Sequence, residues 1–140
     1  LEQSYVIFRL NSFSRNLRNE LKTSKKIYFY DNGIRNALIA NFNQIEGRAD
    51  RGALWENFLI SERKKFLEYN RLWGNSWFWR TKEQKEIDLV EERDGKITGY
   101  EFKWNPDQKV KIPRLFLDSY ENSDFQVIHR DNCDSFLLEY

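Results

Sequence analysis

One short run late in the chain sets a carboxylate beside an ammonium. Between Tyr100 and Trp104, Glu101 and Lys103 alternate with three aromatic residues. Successive side chains of a strand point to opposite faces, so this order predicts Glu101 and Lys103 on one face. A carboxylate is a ligand for Mg²⁺, and a mobile ammonium can stabilise developing negative charge. The pair therefore predicts metal-assisted phosphodiester hydrolysis, although an ordinary solvated strand has the same pattern.

A second acid precedes this run. Asp88 lies in a strand-like segment, where alternation predicts that Ile87 and Leu89 point to the core. The same alternation predicts that Asp88 points away from the core, on the face of Glu86 and Val90. Asp88 alone is weak evidence for a metal site. Its value as a candidate ligand depends on whether the next strand places a second acid beside it.

A tight turn brings the two acidic strands together. Asp94 and Gly95 separate them and are typical of a two-residue hairpin turn. In the register that such a turn sets, Asp88 falls opposite Glu101, close enough for both to share a cation. Two carboxylates at that distance repel each other, and a bound cation relieves the repulsion. The sequence therefore predicts a site for Mg²⁺ or Mn²⁺ at this end of the hairpin.

Glu56 is the third candidate ligand. It lies in a helical pattern between the apolar residues Trp55 and Phe58, so it can face the end of the sheet and complete a metal shell. Helical spacing does not fix its direction. The alternative is a solvated residue that pairs with Arg63 or Arg51.

The elements that must position these side chains follow from periodicity. Apolar residues from Leu54 to Leu67 recur at helical spacing, and this helix is expected to end before Gly74 with Glu56, Glu62, Arg63 and Lys64 on its polar side. Strands are expected at 76–80, 86–91, 97–104 and 125–128, with a helix from Pro113 through Tyr120. Two earlier strands at 5–10 and 27–30 precede a short helix that Asp31 caps. The fold class predicted is α/β, with an N-terminal β-rich extension (1–46) followed by one domain (47–140).

Composition excludes several classes of protein. The 140 residues carry 23 Lys and Arg against 22 Asp and Glu, so any nucleic-acid contact must come from local patches. Cys133 is the only cysteine, which excludes an internal disulfide and favours a reducing compartment, expected to be the cytoplasm. No apolar run is long enough to span a bilayer. Gly95-Lys96 lacks the other residues of a P-loop, and the absence of Met suggests a piece of a longer protein.

Five phrases in order carry a resemblance to a known family. They are YFYDNG at 28–33, GALWENF at 52–58, FWRT at 78–81, EIDLV at 86–90 and EFK at 101–103. Together they resemble the C-terminal domain of unknown function that is attached to prokaryotic AAA-type P-loop ATPases. The spacing of Glu56, Asp88 and Glu-x-Lys also resembles the PD-(D/E)XK nuclease superfamily, especially its Holliday-junction-resolvase-like branch. The chain lacks the Pro that often precedes the first motif aspartate.

The resemblance implies a restriction-endonuclease-like core of helix, three-strand meander, helix and strand. It implies that Glu56, Asp88 and Glu101 bind Mg²⁺ or Mn²⁺, that Lys103 assists hydrolysis of DNA, and that an ATPase module precedes the chain. A catalytically silent module that binds nucleic acid or protein and regulates the ATPase is the alternative.

Secondary features concern binding. Basic residues flank the two acidic strands and are candidates for phosphate contacts, with ordinary solvated loops as the alternative: Arg80, Lys82, Lys85, Lys109, Lys111 and Arg114. Four tryptophans could stack on bases, but most are expected in the core: Trp73, Trp77, Trp79 and Trp104. His129 has no second His or Cys ligand nearby and is expected to be a strand-end residue.

Overall fold

The computed structural model describes residues 1–15, 18, 20–39 and 41–139. Residues 16, 17, 19 and 40 of the predicted extension 1–46, and residue 140 of the predicted domain 47–140, lie outside this description. Within the described residues the fold is mixed α/β, with two sheets and four α-helices. The strands are β1 (Ile7–Asn11), β2 (Lys25–Phe29), β3 (Asn75–Arg80), β4 (Glu86–Arg93), β5 (Lys96–Phe102) and β6 (Ser123–Ile128). The α-helices are α1 (Asn32–Leu38), α2 (Arg51–Tyr69), α3 (Arg114–Ser119) and α4 (Cys133–Leu138), and a 3₁₀ turn spans Ile45–Gly47.

The first sheet is a two-stranded antiparallel hairpin. Phe8 of β1 lies opposite Tyr28 of β2, and both side chains are buried. After β2 the Asp31 carboxylate accepts a hydrogen bond from the Gly33 backbone N–H at 2.5 Å, which begins α1 as the sequence predicted. The two early strands and the short capped helix are thus confirmed.

Helix α2 is the long amphipathic helix that periodicity predicted. It buries Leu54, Trp55 and Leu59 against the sheets and ends at Tyr69, before Gly74. Two details differ from the prediction. Arg63, expected on the polar side, is buried, because it pairs with an acid of β4, and Phe58, expected in the core, is 38% exposed.

The second sheet has four strands in the order β3-β4-β5-β6. The first three form the predicted antiparallel meander, and β6 returns parallel to β5 after α3. Asp94 and Gly95 both have positive φ, 51° and 78°, as a tight hairpin turn with the twist of its strands requires. The predicted order of helix, three strands, helix and strand is therefore present, and α4 follows it as a helix that the sequence analysis did not predict.

The four-stranded sheet is covered on both faces. One apolar cluster, on the side of α2 and the hairpin, includes Trp55, Leu59, Phe78, Leu89 and Phe102. The other, on the side of α3, includes Phe13, Trp79, Ile87, Val90 and Phe116. Because Phe8, Leu10 and Tyr28 of the hairpin belong to the first cluster, the N-terminal residues share a core with the rest of the chain.

None of the helices that the structure describes combines the length and the apolar character needed to cross a bilayer.

Candidate functional site

A bulge in β4 sets the direction of Asp88. Trp77 pairs with Val90 and Trp79 with Ile87, so Phe78 alone lies opposite both Asp88 and Leu89. The extra residue resets the alternation of side chains along the strand. Ile87 and Val90 consequently share the second apolar cluster, while Leu89 lies in the first. The simple alternation that predicted Val90 beside Asp88 and away from the core was therefore wrong, because it contained no bulge.

The hairpin register brings Asp88 to the end of β5. Leu89 pairs with Tyr100, which is the register predicted from the turn. The next pair, Asp88 opposite Glu101, does not form. Instead the Asp88 carboxylate accepts a hydrogen bond from the Phe102 backbone N–H at 2.8 Å. The side chain of Asp88 therefore takes the place of a backbone acceptor where the two strands separate.

Glu101 and Lys103 lie next to each other at the same end of the sheet. The Lys103 ammonium is 3.3 Å from the Glu101 carboxylate. Tyr100 and Phe102 are buried in the first apolar cluster and Trp104 packs against it, so the predicted split between a charged and an aromatic face is confirmed. Strand alternation alone is enough to place these two charges together.

Helix α2 brings Glu56 to this end of the sheet. The neighbouring Trp55 donates its indole N–H to the Lys103 backbone carbonyl at 3.0 Å, which fixes the helix to the end of β5. Glu56, Asp88, Glu101 and Lys103 all line one open cavity of about 300 Å³. The tertiary structure thus brings together the four residues that the sequence analysis named, including Glu56, whose direction helical spacing left open.

The acids of this cavity repel one another. Burial, together with the nearby carboxylates of Glu56 and Glu101, raises the pKa of Asp88 to about 8. Burial also raises the pKa of Glu101, against the opposing effect of the Lys103 ammonium. The carboxyl groups of the cavity therefore disfavour one another's ionised forms, and a positive charge nearby relieves this repulsion.

Two residues of the N-terminal hairpin enter the site, and the sequence analysis did not predict either. The Lys26 ammonium is 3.3 Å from the Glu56 carboxylate and also contacts Glu86. The Tyr28 hydroxyl donates to the same Glu56 oxygen at 2.7 Å. Although burial opposes it, the carboxylates of Glu56 and Glu86 raise the pKa of Lys26. Strand alternation, which places Lys26 and Tyr28 on one face of β2, was the signal that could have identified them.

The fit of this donor set to a divalent cation depends on the chemistry of the ligands and on their arrangement. The chemistry fits, because carboxylate oxygens are the ligands that Mg²⁺ prefers. The arrangement does not, since no three His, Cys, Asp or Glu side chains among residues 1–15, 18, 20–39 and 41–139 are grouped as a metal site. Glu56 is instead engaged by Lys26 and Tyr28. The cavity has the ligands of a metal centre without the positions of one.

The basic candidates for nucleic-acid contact differ in their exposure. Lys82, Lys85, Lys109 and Lys111 are exposed, and Arg114 is exposed at the start of α3. Arg80 is partly buried and pairs with Glu86 at 3.0 Å. The exposed lysines are thus placed where a phosphate backbone could reach them, and Arg80 is tied to the charges of the site.

The tryptophans and His129 mostly have structural roles. Trp79 is buried, and Trp77 and Trp104 pack against the apolar clusters, as predicted. Trp73, at 84% exposure, is the exception. The His129 ring nitrogen Nδ1 accepts a hydrogen bond from the Asp131 backbone N–H at 3.2 Å, consistent with the predicted strand-end role.

Comparison with known proteins defines the class to which this fold and site belong. Residues 51–133 match the family described as domain of unknown function DUF4143, which includes α2, the four-stranded sheet and the whole cavity. The chain belongs to this family. Residues 1–45, which carry Lys26 and Tyr28, match a second family, described as domain of unknown function DUF8612.

Two curated relatives share sequence with the chain. They are an uncharacterized protein of Mycobacterium bovis and an uncharacterized protein of Mycobacterium tuberculosis, each 30% identical over 105 residues. The match covers 74% of this chain and 23% of each relative, so the chain spans about a quarter of their length. No solved structure matches the chain.

Proposed function

We propose that this chain is the nuclease-like C-terminal domain of an AAA-type ATPase, and that it hydrolyses DNA phosphodiesters with Mg²⁺ or Mn²⁺. The observation that carries the proposal is the convergence of three carboxylates and one lysine on a single cavity: Glu56, Asp88, Glu101 and Lys103. The proposed architecture is a restriction-endonuclease-like core, supported by the order of elements from α2 to β6. The ATPase module and a cytoplasmic location belong to the same proposal.

Each residue of the cavity has a distinct proposed role. Glu56, Asp88 and Glu101 supply oxygen ligands for the cation. The cation, when bound, would polarise the phosphate and lower the pKa of an attacking water. Lys103 lies 3.3 Å from Glu101 and ends a flexible stem, so its ammonium can exchange that carboxylate for a phosphate oxygen. Burial and the nearby carboxylates together raise the pKa of Asp88, and a cation at this position would offset both effects on its ionised form.

The DNA backbone is proposed to lie along the basic residues beside the cavity. Lys82 and Lys85 lie between β3 and β4, and Lys109 and Lys111 lie between β5 and α3. Gln108 lines the cavity directly before Lys109. Together with Arg80, these side chains would contact phosphates without reading base sequence.

The test is cleavage of linear, single-stranded and branched DNA with Mg²⁺ or Mn²⁺, compared with EDTA. Glu101→Gln and Lys103→Met are each expected to reduce cleavage by about a hundredfold or more, because each removes charge stabilisation at the reacting phosphate. Both substitutions preserve side-chain length. Circular dichroism and a thermal melt check that the variants fold.

Matched controls come from the same strands. Lys96→Met removes a lysine at the other end of β5, and Asp124→Asn removes an exposed acid of β6. Both are expected to cleave DNA as the wild type does. Equal cleavage by the wild type, Glu101→Gln and Lys103→Met would overturn the proposed assignment.

A second candidate function is a catalytically silent module that binds nucleic acid or protein and regulates the ATPase. The observation that favours it is the engagement of Glu56 by Lys26 and Tyr28, which leaves the acids without the arrangement of a metal site. This function predicts DNA or ATPase binding by the wild type with no heat of Mg²⁺ or Mn²⁺ binding in calorimetry. Metal binding that Asp88→Asn weakens would exclude it.

A further inference from the structure

The N-terminal hairpin inserts a positive charge among the acids of the cavity. The Lys26 ammonium lies between Glu56 and Glu86, and its side chain is only 18% exposed. The ammonium also lies over the ring of Phe78, 5.2 Å from its centroid. Lys26 is therefore held in place and is not a freely moving surface lysine.

The hairpin itself is fixed to the helix that carries Glu56. Asn57, the next residue of α2, is buried, and its side-chain amide donates to the Phe29 carbonyl at 2.9 Å. The amide oxygen of Asn57 accepts from the Phe29 backbone N–H at 2.8 Å. This pair of hydrogen bonds joins the end of β2 to α2. In the resulting arrangement the Tyr28 hydroxyl donates to Glu56 at 2.7 Å. The contact of Lys26 with Glu56 is thus built into the docking of two segments.

We propose that the Lys26 ammonium is the resident counter-ion of this cavity, and that it competes with a divalent cation for Glu56. The inference rests on the proposed function, because it concerns the cation that the nuclease would use. A Glu56 oxygen that accepts hydrogen bonds from an ammonium and a hydroxyl has less electron density to offer a metal, and two cations at one carboxylate repel each other. The competition explains why the ligands of a metal centre are present without its geometry.

A consequence is that the hairpin controls cation binding. A divalent cation gains Glu56 only when Lys26 leaves that carboxylate and keeps its contact with Glu86, its other acidic partner. The residues that match the second family, 1–45, therefore regulate the site that lies in the first, 51–133.

The test is calorimetric titration of the chain with Mn²⁺, comparing the wild type with Lys26→Met. Methionine keeps the stem and removes the charge, so Mn²⁺ affinity is expected to rise by about tenfold or more. Lys25→Met is the matched control, because Lys25 is the exposed neighbour on the other face of β2. It removes the same charge and is expected to leave Mn²⁺ affinity unchanged. A second variant, Lys26→Gln, repeats the test if Lys26→Met does not fold.

Further measurements test whether the gain in Mn²⁺ affinity comes from Glu56. The gain is expected to disappear when Lys26→Met is combined with Glu56→Gln. Lys26→Arg retains a cation and is expected to bind Mn²⁺ as the wild type does. In a thermal melt without metal, Lys26→Met is expected to unfold at a lower temperature than the wild type, and Mn²⁺ is expected to restore it.

The outcomes separate the two proposals. Mn²⁺ binding by the wild type with no increase in Lys26→Met or Lys26→Gln overturns the competition and leaves the nuclease proposal intact. Absence of Mn²⁺ binding in the wild type and in both Lys26 variants overturns both proposals.

Discussion

Helix α2 and strand β4 meet at two places where acids are buried, and the two places differ in charge balance. At one, Arg63 and Glu91 form a bidentate pair with distances of 3.1 and 2.9 Å, and Arg63 also donates to the Phe136 carbonyl at 2.6 Å. At the other, about two helical turns away, Glu56 meets Asp88 with Glu101 nearby. The same two elements thus carry a compensated ion pair at one end and a group of like charges at the other.

The difference separates an acid that is paired within the fold from acids that repel one another. The guanidinium of Arg63 satisfies both carboxylate oxygens of Glu91 and joins α4 to the sheet, so that site requires nothing from outside. In the cavity, burial and the nearby carboxylates of Glu56 and Glu101 raise the pKa of Asp88, which means that folding holds its ionised form at a cost in free energy. A protein retains such a cost most readily where a ligand uses it, which is why perturbed carboxyls indicate candidate sites.

The largest effect is expected from breaking the compensated pair. Glu91→Leu leaves the buried Arg63 without its carboxylate, and the free energy of unfolding is expected to fall by about 3 kcal/mol or more. Urea denaturation measures this change in the free energy of unfolding. Glu92→Leu is the control on the adjacent residue, whose pair with Arg15 is partly exposed, and its expected cost is below about 1 kcal/mol. Similar losses in both variants would show that the buried pair has no special role.

An effect of opposite sign is expected at the acids of the cavity. In the unfolded chain Asp88 titrates near 3.8, and in the folded chain its pKa is about 8. Between these values the folded state holds a proton that the unfolded state releases, so this contribution to stability is full below pH 4 and is lost as pH rises through 8. Asp88→Asn cannot ionise and keeps an oxygen acceptor for the Phe102 N–H.

The measurement is urea denaturation in EDTA at several pH values. Near pH 4 the wild type and Asp88→Asn are expected to have similar stability, and at pH 8.5 the variant is expected to be the more stable of the two. Asp124→Asn, at a half-exposed position on β6, is expected to lose stability with rising pH as steeply as the wild type does. If the stability of Asp88→Asn fell with rising pH as steeply as that of the wild type, the interpretation of this cavity as electrostatically strained would be contradicted.

The smallest effect is expected from the contact that ties the hairpin to the cavity. Tyr28→Phe removes the hydroxyl that donates to Glu56 while keeping the ring in the first apolar cluster, and a cost of about 1 kcal/mol is expected. Thermal denaturation with and without Mn²⁺ measures it. Tyr30→Phe, two residues further along the chain, is the control and is expected to change stability by less than about 0.5 kcal/mol. Equal changes in the two variants would mean that the hydroxyl bond to Glu56 contributes nothing.

Much of the fold could be predicted because it depends on local pattern. The period of α2, the Asp94-Gly95 turn and the cap at Asp31 are set by residues close in sequence, and all three are present. Strand alternation likewise paired Glu101 with Lys103. Helix α4 was missed, because its six residues are too few to show a helical period and only Phe136 is buried.

Within the candidate site, the strand residues Asp88, Glu101 and Lys103 were predictable, and the counter-charge of Lys26 was not. Glu101 and Asp88 follow from alternation and a hairpin register, whereas the bulge that orients Asp88 depends on pairing with β3. Arg63 was expected in solvent because nothing within α2 indicates that Glu91 approaches it. Lys26 was missed for the same reason, since its acidic partners belong to segments distant in sequence.

The sequence by itself determined which chemical groups this protein carries and which of them share a strand or a helix face, because periods of 2 and 3.6 residues act over a few neighbouring positions. Only the tertiary structure decided which charges are compensated. An ion pair or a group of acids forms between elements far apart in the chain, and its energy depends on burial and on distances of a few ångströms. That is why Glu91 is paired within this fold, whereas Glu56, Asp88 and Glu101 come together at one cavity.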